Sequence, residues 1–178
     1  MWPLTALAFI GVFFSLRQGT LISPVTRFGL VDLELARTRA RVTQIIAAWN
    51  MTNVLPDAIR ATYLDLPFIV LYSGSLSLST AAAAGALEVR RWPLARLGIV
   101  LSWGQVITVV TGGGENVGML WQLNRPLTPA GPWIQITFIC AVCKWTLALA
   151  GGLYSLYGFI SWLTRPNPPW IADPTTRC

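Results

Sequence analysis

Residues 133–163 read WIQITFICAVCKWTLALAGGLYSLYGFISWL, a long and mainly apolar run. A transmembrane helix needs about 20 consecutive, mainly apolar residues, and this run exceeds that length. It contains one charged side chain, Lys144, which is also the only lysine in the chain. The run therefore predicts a membrane-spanning helix that carries a charge within its apolar sequence.

Three more apolar runs extend the same pattern toward the N-terminus. The four predicted spans cover about residues 2–23, 58–87, 93–123 and 132–163. Hydrophobic residues make up 54% of the chain and charged residues 11%, about half the charged share of a soluble domain. We therefore expect an all-α integral membrane protein, a four-transmembrane-helix bundle in which residues 1–178 form a single membrane domain. Nothing basic precedes the first run, which favours a retained span over a cleaved signal peptide.

The first loop contains the sequence VDLELARTRARVTQIIAAW at residues 31–49. Its apolar residues recur at helical spacing among aspartate, glutamate and arginine side chains, a pattern typical of a helix that lies in the membrane interface. We expect one interfacial amphipathic helix over residues 31–49. Two roles stay open for it: a connector between spans, or a lid over a site.

The positions of the arginines indicate how the chain is oriented. Arg90, Arg91 and Arg96 lie in the short connection between spans two and three, and Arg165 and Arg177 lie near the C-terminus. They predict that both termini are cytoplasmic, although the arginines of the large first loop argue the other way. We expect a multi-pass protein of a bacterial inner membrane or a eukaryotic endomembrane, with the lipid bilayer as a partner. The scattered arginines form no nucleic-acid patch, so we expect no nucleic-acid partner.

Three charged residues inside the apolar runs are the candidate catalytic residues: Asp65, Glu115 and Lys144. An ionised group in hydrocarbon is costly, so such residues usually face a protein interior and mark a functional site. From the helical rise they lie about 10, 12 and 18 Å from the large-loop side of the membrane. Because consecutive spans run in opposite directions, these similar depths predict that the three side chains converge.

The residues predicted to bind a ligand at this site are Asn116, Arg17, Tyr72, Gln105 and Trp49. Asn116 follows Glu115 directly, and Arg17 ends the first span on the same side of the membrane. Tyr72 follows Asp65 by about two helical turns, so both lie on one stripe of the second span. The chain has no histidine, which removes most zinc, copper and haem ligation, and we expect neither a metal nor a cofactor.

These residues predict a protein that binds or acts on a small amphipathic or lipid-like molecule. Paired carboxylates with a lysine suit proton transfer, so an enzyme of this kind would catalyse an acid–base isomerisation or cyclisation. The alternative from another class is a non-catalytic small subunit or assembly factor. Its charges would pair internally or with a partner chain, in a homodimer or a larger membrane complex.

Cys140 and Cys143 form the sequence C-A-V-C in the fourth span, directly before Lys144. Four spans, a large first loop and a C-x-x-C in the fourth span resemble the vitamin K epoxide reductase family. The resemblance implies a quinone-linked thiol oxidoreductase that uses these two cysteines as its redox pair. The second cysteine pair of that family, in the first loop, has no counterpart in residues 18–57. Because helical residues three apart are too distant for a disulfide, we expect two buried free thiols.

Overall fold

In the computed structural model, residues 19–89, 91–125 and 131–164 are described, and most of them are helical. Five α-helices follow a short 3-10 turn at Gly19–Leu21. They are α1 (Leu30–Glu34), α2 (Arg39–Met51), α3 (Leu55–Val89), α4 (Ala95–Leu123) and α5 (Gly131–Leu163). No strand occurs within these ranges, so the predicted all-helical class is confirmed for the described part of the chain.

Three of these helices, α3, α4 and α5, are long and apolar enough to cross a membrane. They overlap three of the predicted spans and pack pairwise against one another, which confirms a multi-pass membrane protein. The predicted first span, 2–23, lies outside the described residues as far as residue 18. Its last residues form the 3-10 turn and an irregular segment instead of a membrane helix. The described residues thus form a three-helix bundle and do not show the predicted four-span arrangement.

The prediction of one amphipathic helix over residues 31–49 is wrong, because the chain breaks between α1 and α2. Thr38 has extended backbone angles, and its hydroxyl oxygen accepts a hydrogen bond from the Arg41 N–H at 3.3 Å. A threonine in this position caps the start of a helix, so α2 begins there as a separate element. The break lets α1 and α2 pack against each other and turn their apolar sides into the protein.

We call residues 19–54, which include α1 and α2, the cap. Its apolar side chains form one core with residues from the end of the three-helix bundle. The buried members of this core are Leu21, Leu30, Leu33, Ala36, Val42, Ile45, Ile46, Trp49, Ala58, Met119, Leu123 and Ile134. Full burial of a large apolar side chain contributes about 1.5–3 kcal/mol, so many such contacts hold the cap on the bundle.

The opposite end of the bundle, which we call the far end, comprises residues 76–89, 91–105 and 147–163. Its helices approach closely through small residues. A Cβ added at Gly98 would lie 2.5 Å from the Tyr154 ring and 2.7 Å from the Ala84 Cβ. Gly158 lies equally close to Ala83. Close backbone approach through glycine and alanine is how membrane helices commonly associate, so the far end is a packing surface.

Candidate functional site

The side chain of Lys144 on α5 is the centre of a buried ionic cluster. Its ammonium group donates to Glu115 Oε1 on α4 at 2.7 Å and to Glu34 Oε2 at the end of α1 at 3.4 Å. The exposed fraction is 4% for Lys144, 0% for Glu115 and 2% for Glu34. One cation therefore holds a carboxylate of the bundle and a carboxylate of the cap.

Asp65 on α3 lies beside this cluster through an amide contact. Asn116, the residue after Glu115, donates from Nδ2 to Asp65 Oδ2 at 2.9 Å, and both side chains are buried. Within the described residues, no ammonium or guanidinium group lies within 4.0 Å of the Asp65 carboxylate. The structure thus brings Asp65, Glu115 and Lys144 into one region of the interior. The two acids have different partners there: a cation at Glu115 and a neutral amide at Asp65.

Sequence reasoning missed Glu34, because it treated this residue as part of the polar surface of one loop helix. In the structure α1 ends at Glu34, and the carboxylate also accepts a hydrogen bond from the Trp145 indole N–H at 3.0 Å. A signal for this arrangement was present at Thr38, since threonine is a favoured N-cap residue. A helix start at Thr38 would have separated Glu34 from the charged surface of α2.

The helix lengths indicate where this cluster lies relative to the bilayer. Residues 66–87, 97–114 and 145–163 contain no charged side chain. At the helical rise these stretches are about 27–33 Å long, which matches a hydrocarbon core of about 30 Å. We infer that the cluster lies at the hydrocarbon boundary on the cap side and that the cap lies at the level of the headgroups.

The cluster has unused capacity to accept hydrogen bonds. Among the described residues, Glu115 Oε2 and Asn116 Oδ1 are buried and have no hydrogen-bond partner. Both atoms are acceptors, and leaving a buried polar atom unpaired costs about 1–3 kcal/mol. Three carboxyl groups, at Glu34, Asp65 and Glu115, also surround a single lysine. The arrangement is therefore suited to a hydrogen-bond donor or a positive charge.

The other predicted binding residues have different surroundings. Arg17 falls outside the described residues. Tyr72 is half-buried, its ring contacts Phe68, and it lies within electrostatic range of Lys144, Asp65 and Glu115. Gln105 is buried about 15 Å along α4 from Glu115 and donates to the carbonyl of Leu147. Trp49 is part of the cap core, and its indole N–H donates to the Leu21 carbonyl at 3.1 Å. Gln105 and Trp49 therefore have structural contacts of their own.

Cys140 and Cys143 are free cysteines, as predicted. The prediction that both are buried is wrong, because Cys140 is half-buried and Cys143 is exposed on the surface of α5. A position that faces lipid is as apolar as one that faces the core, so hydropathy does not separate the two. Both residues lie in an unbroken stretch of α5.

No family model, no curated protein and no solved structure matches the chain. The resemblance to the vitamin K epoxide reductase family therefore rests on outline topology and one tetrapeptide. Within the described residues, no group of three histidine, cysteine or acidic side chains is placed to hold a metal ion.

Proposed function

We propose that this membrane protein binds the polar end of a small amphipathic or lipid-like molecule at the Glu34–Lys144–Glu115 cluster. We propose further that it converts this molecule by acid–base isomerisation or cyclisation, with Asp65 as the second acid. The observation that carries the proposal is the unpartnered Glu115 Oε2. This atom is fully buried and belongs to a carboxyl group that Lys144 holds in place. A bound ligand would supply the hydrogen-bond donor that this atom lacks among the described residues.

The charge balance supports a reaction in which positive charge develops on the ligand. The acidic side chains Glu34, Asp65 and Glu115 outnumber the one ammonium group, and the unpaired atoms are acceptors. Protonation of a carbon–carbon double bond or an epoxide creates a cationic centre. Acceptors that are already oriented toward such a centre stabilise it without reorganisation.

We assign different roles to Asp65 and Glu115 because their hydrogen-bond partners differ. Asp65, beside the neutral Asn116 amide, gives its proton to the substrate, and positive charge develops on the neighbouring carbon. Glu115, paired with Lys144 at 2.7 Å, removes a proton from an adjacent carbon through Oε2. One proton enters and one leaves, so the product is an isomer of the substrate. No oxidant or reductant is consumed, and Lys144 keeps its proton throughout.

A non-catalytic small subunit or assembly factor is the second candidate function. The observation that favours it is the contact between Glu34 and Lys144, which joins the cap to the bundle. A buried ion pair can serve to fix one arrangement of two elements without any chemistry. In that case the cluster would hold the cap in the form that a partner chain recognises.

Two isosteric variants, Glu115→Gln and Asp65→Asn, separate these candidates. Each protein would be purified from membranes in mild detergent, and co-purifying small molecules would be compared by mass spectrometry. We expect the wild type to retain a defined amphipathic molecule that each variant loses by at least tenfold. Glu88→Gln is the matched control, because Glu88 is an exposed glutamate at the end of α3 and lies far from the cluster.

Membrane abundance is measured in the same samples. Normal abundance with loss of the bound molecule supports the proposed function. If Glu115→Gln and Asp65→Asn disappear from the membrane while Glu88→Gln remains, the acids are structural and the subunit candidate is favoured. A wild-type protein that carries no specific molecule contradicts the binding proposal.

A further inference from the structure

A groove opens on the cap where α1 meets α2, separate from the buried cluster. Its volume is about 450 Å³. The apolar residues that line it include Phe28, Val31 and Leu35, and the polar ones include Arg37 and Arg41. A concave surface with apolar and cationic side chains together can accommodate a molecule that is apolar at one end and anionic at the other.

The apolar lining of the groove is open to the surroundings. Phe28 and Leu35, which flank α1, are 68% and 44% exposed, whereas Leu30 and Leu33 within α1 are buried. The groove therefore presents aromatic and aliphatic surface that the cap itself does not cover.

The contact between Arg37 and α5 gives the level of the groove in the bilayer. The Arg37 guanidinium lies 4.4 Å from the centroid of the Phe138 ring. Phe138 precedes Lys144 by about 9 Å along the helix, in the direction away from the hydrocarbon. The headgroup layer is about 5–8 Å thick on each side of the hydrocarbon. The groove consequently lies close to the outer limit of the headgroup layer, which a long basic side chain and a lipid phosphate can both reach.

The charges of the cap favour an anion at this level. Arg37 is exposed, and within the described residues no carboxylate lies within 4.0 Å of its guanidinium. Arg41 is fixed by Asp32 at 3.2 Å and by the Val25 carbonyl at 2.8 Å. The only other acid of the cap, Glu34, is buried with Lys144. Asp32, which also lines the groove, is paired with Arg41, so among the described residues Arg37 has no carboxylate as an ion-pair partner.

We propose that the groove binds an anionic phospholipid of the surrounding bilayer. Its phosphate pairs with Arg37, and the apolar carbons of its glycerol and ester region pack on Phe28 and Leu35. This site is independent of the function proposed for the buried cluster, since none of its lining residues belongs to that cluster.

The test uses the full chain in nanodiscs that contain equal amounts of phosphatidylglycerol and phosphatidylcholine. Lipids that remain bound after release are counted by native mass spectrometry. We expect the wild type to retain phosphatidylglycerol about tenfold over phosphatidylcholine. Arg37→Gln should lower this preference about fivefold, the usual contribution of one basic residue near an anionic surface. Arg39→Gln, an exposed arginine two residues away that does not line the groove, should keep the wild-type preference.

Three results would overturn the proposal: equal retention of both lipids by the wild type, an equal loss in Arg39→Gln, or displacement of the lipid by excess inorganic phosphate. The last would show a site for free anions instead of a lipid. Melting temperatures confirm that each variant is folded. If Arg37→Gln proves unstable, Phe28→Ser removes an exposed apolar side chain of the same groove and should lower lipid retention in its place.

Discussion

The two ends of the three-helix bundle are stabilised by different kinds of interaction. At the cap end, one cation, Lys144, pairs with Glu115 and Glu34, with Asp65 beside them. At the far end, glycine and alanine bring helix backbones into contact, as at Gly158. The buried charges of these helices thus lie only at the cap end, where the cap supplies a partner and covers the pair. At the far end the helices associate through close packing and neutral hydrogen bonds, such as the one between the Ser77 and Ser102 hydroxyls.

The cap end and the far end should be destabilised by different kinds of substitution. A buried charge that loses its partner is strongly destabilising, whereas a close packing contact is disturbed mainly by added volume. Removal of the shared cation, Lys144, should therefore damage the cap end, and addition of a methyl group should damage the far end.

Lys144→Met should produce the largest loss of stability. It leaves Glu34 and Glu115 buried without their cation, a change that costs about 3–5 kcal/mol in comparable buried pairs. The measurement is thermal unfolding of the purified protein in detergent, together with its abundance in the membrane. Thr146→Val, an exposed position two residues along α5, is the control and should unfold like the wild type. Equal stability of the two variants would show that the cluster does not hold the cap end.

Glu115→Gln should have the next largest effect. It should lower the turnover rate and leave folding unchanged. Lys144 keeps Glu34 as a partner, so the fold is preserved, while the base of the proposed reaction is lost. Loss of a general base usually lowers the rate by about 10²–10⁴-fold. The assay is turnover of the molecule that co-purifies with the wild type, and Glu88→Gln should retain full activity. A variant that turns over normally would remove Glu115 from the mechanism.

Gly158→Ala tests the far end by adding one methyl group. The new Cβ would lie 2.7 Å from the Ala83 Cα, a backbone atom that cannot yield without moving a helix. Overpacking of this kind costs about 1–3 kcal/mol, which thermal unfolding in detergent would detect. Gly152→Ala lies on the same helix with nothing within 4 Å of the added atom, so it should unfold like the wild type. Similar losses in both variants would indicate a helix-wide effect instead of a packing contact.

Replacement of Cys140 and Cys143 together by Ala should have the smallest effect. Both thiols are free, and Cys143 points away from the cluster to the surface of α5. We expect stability and any activity to stay at wild-type levels. Trapping of a disulfide between these two residues from untreated membranes, or loss of activity in the double variant, would revive the thiol oxidoreductase interpretation.

The sequence allowed prediction of the features that depend on one segment at a time. A charge such as Asp65 or Lys144 in an apolar run is visible without any structure, because hydrocarbon excludes it. Because consecutive spans run in opposite directions, these charges were also expected at similar depths in the membrane. The three described spans followed from run length alone.

The cap could not be predicted in the same way, because its form depends on contacts between distant segments. Glu34 is 110 residues from Lys144, and no local pattern distinguishes it from a solvated glutamate. The helical periodicity of residues 31–49 continued across the break at Thr38, so one helix was expected where two occur. The exposure of Cys143 could not be predicted for another reason. Apolar side chains occur both at lipid-facing positions and in the protein core, so the sequence does not distinguish the two.

The cap completes the buried cluster through the contact of Glu34 with Lys144. This contact is tested by a double-mutant cycle with Glu34→Gln and Lys144→Met, measured by unfolding in detergent. We predict a coupling energy above about 1 kcal/mol, whereas Glu88→Gln combined with Lys144→Met should be additive within about 0.5 kcal/mol. Additive effects of the Glu34 and Lys144 substitutions would contradict the account, because they would place the cap carboxylate away from the lysine.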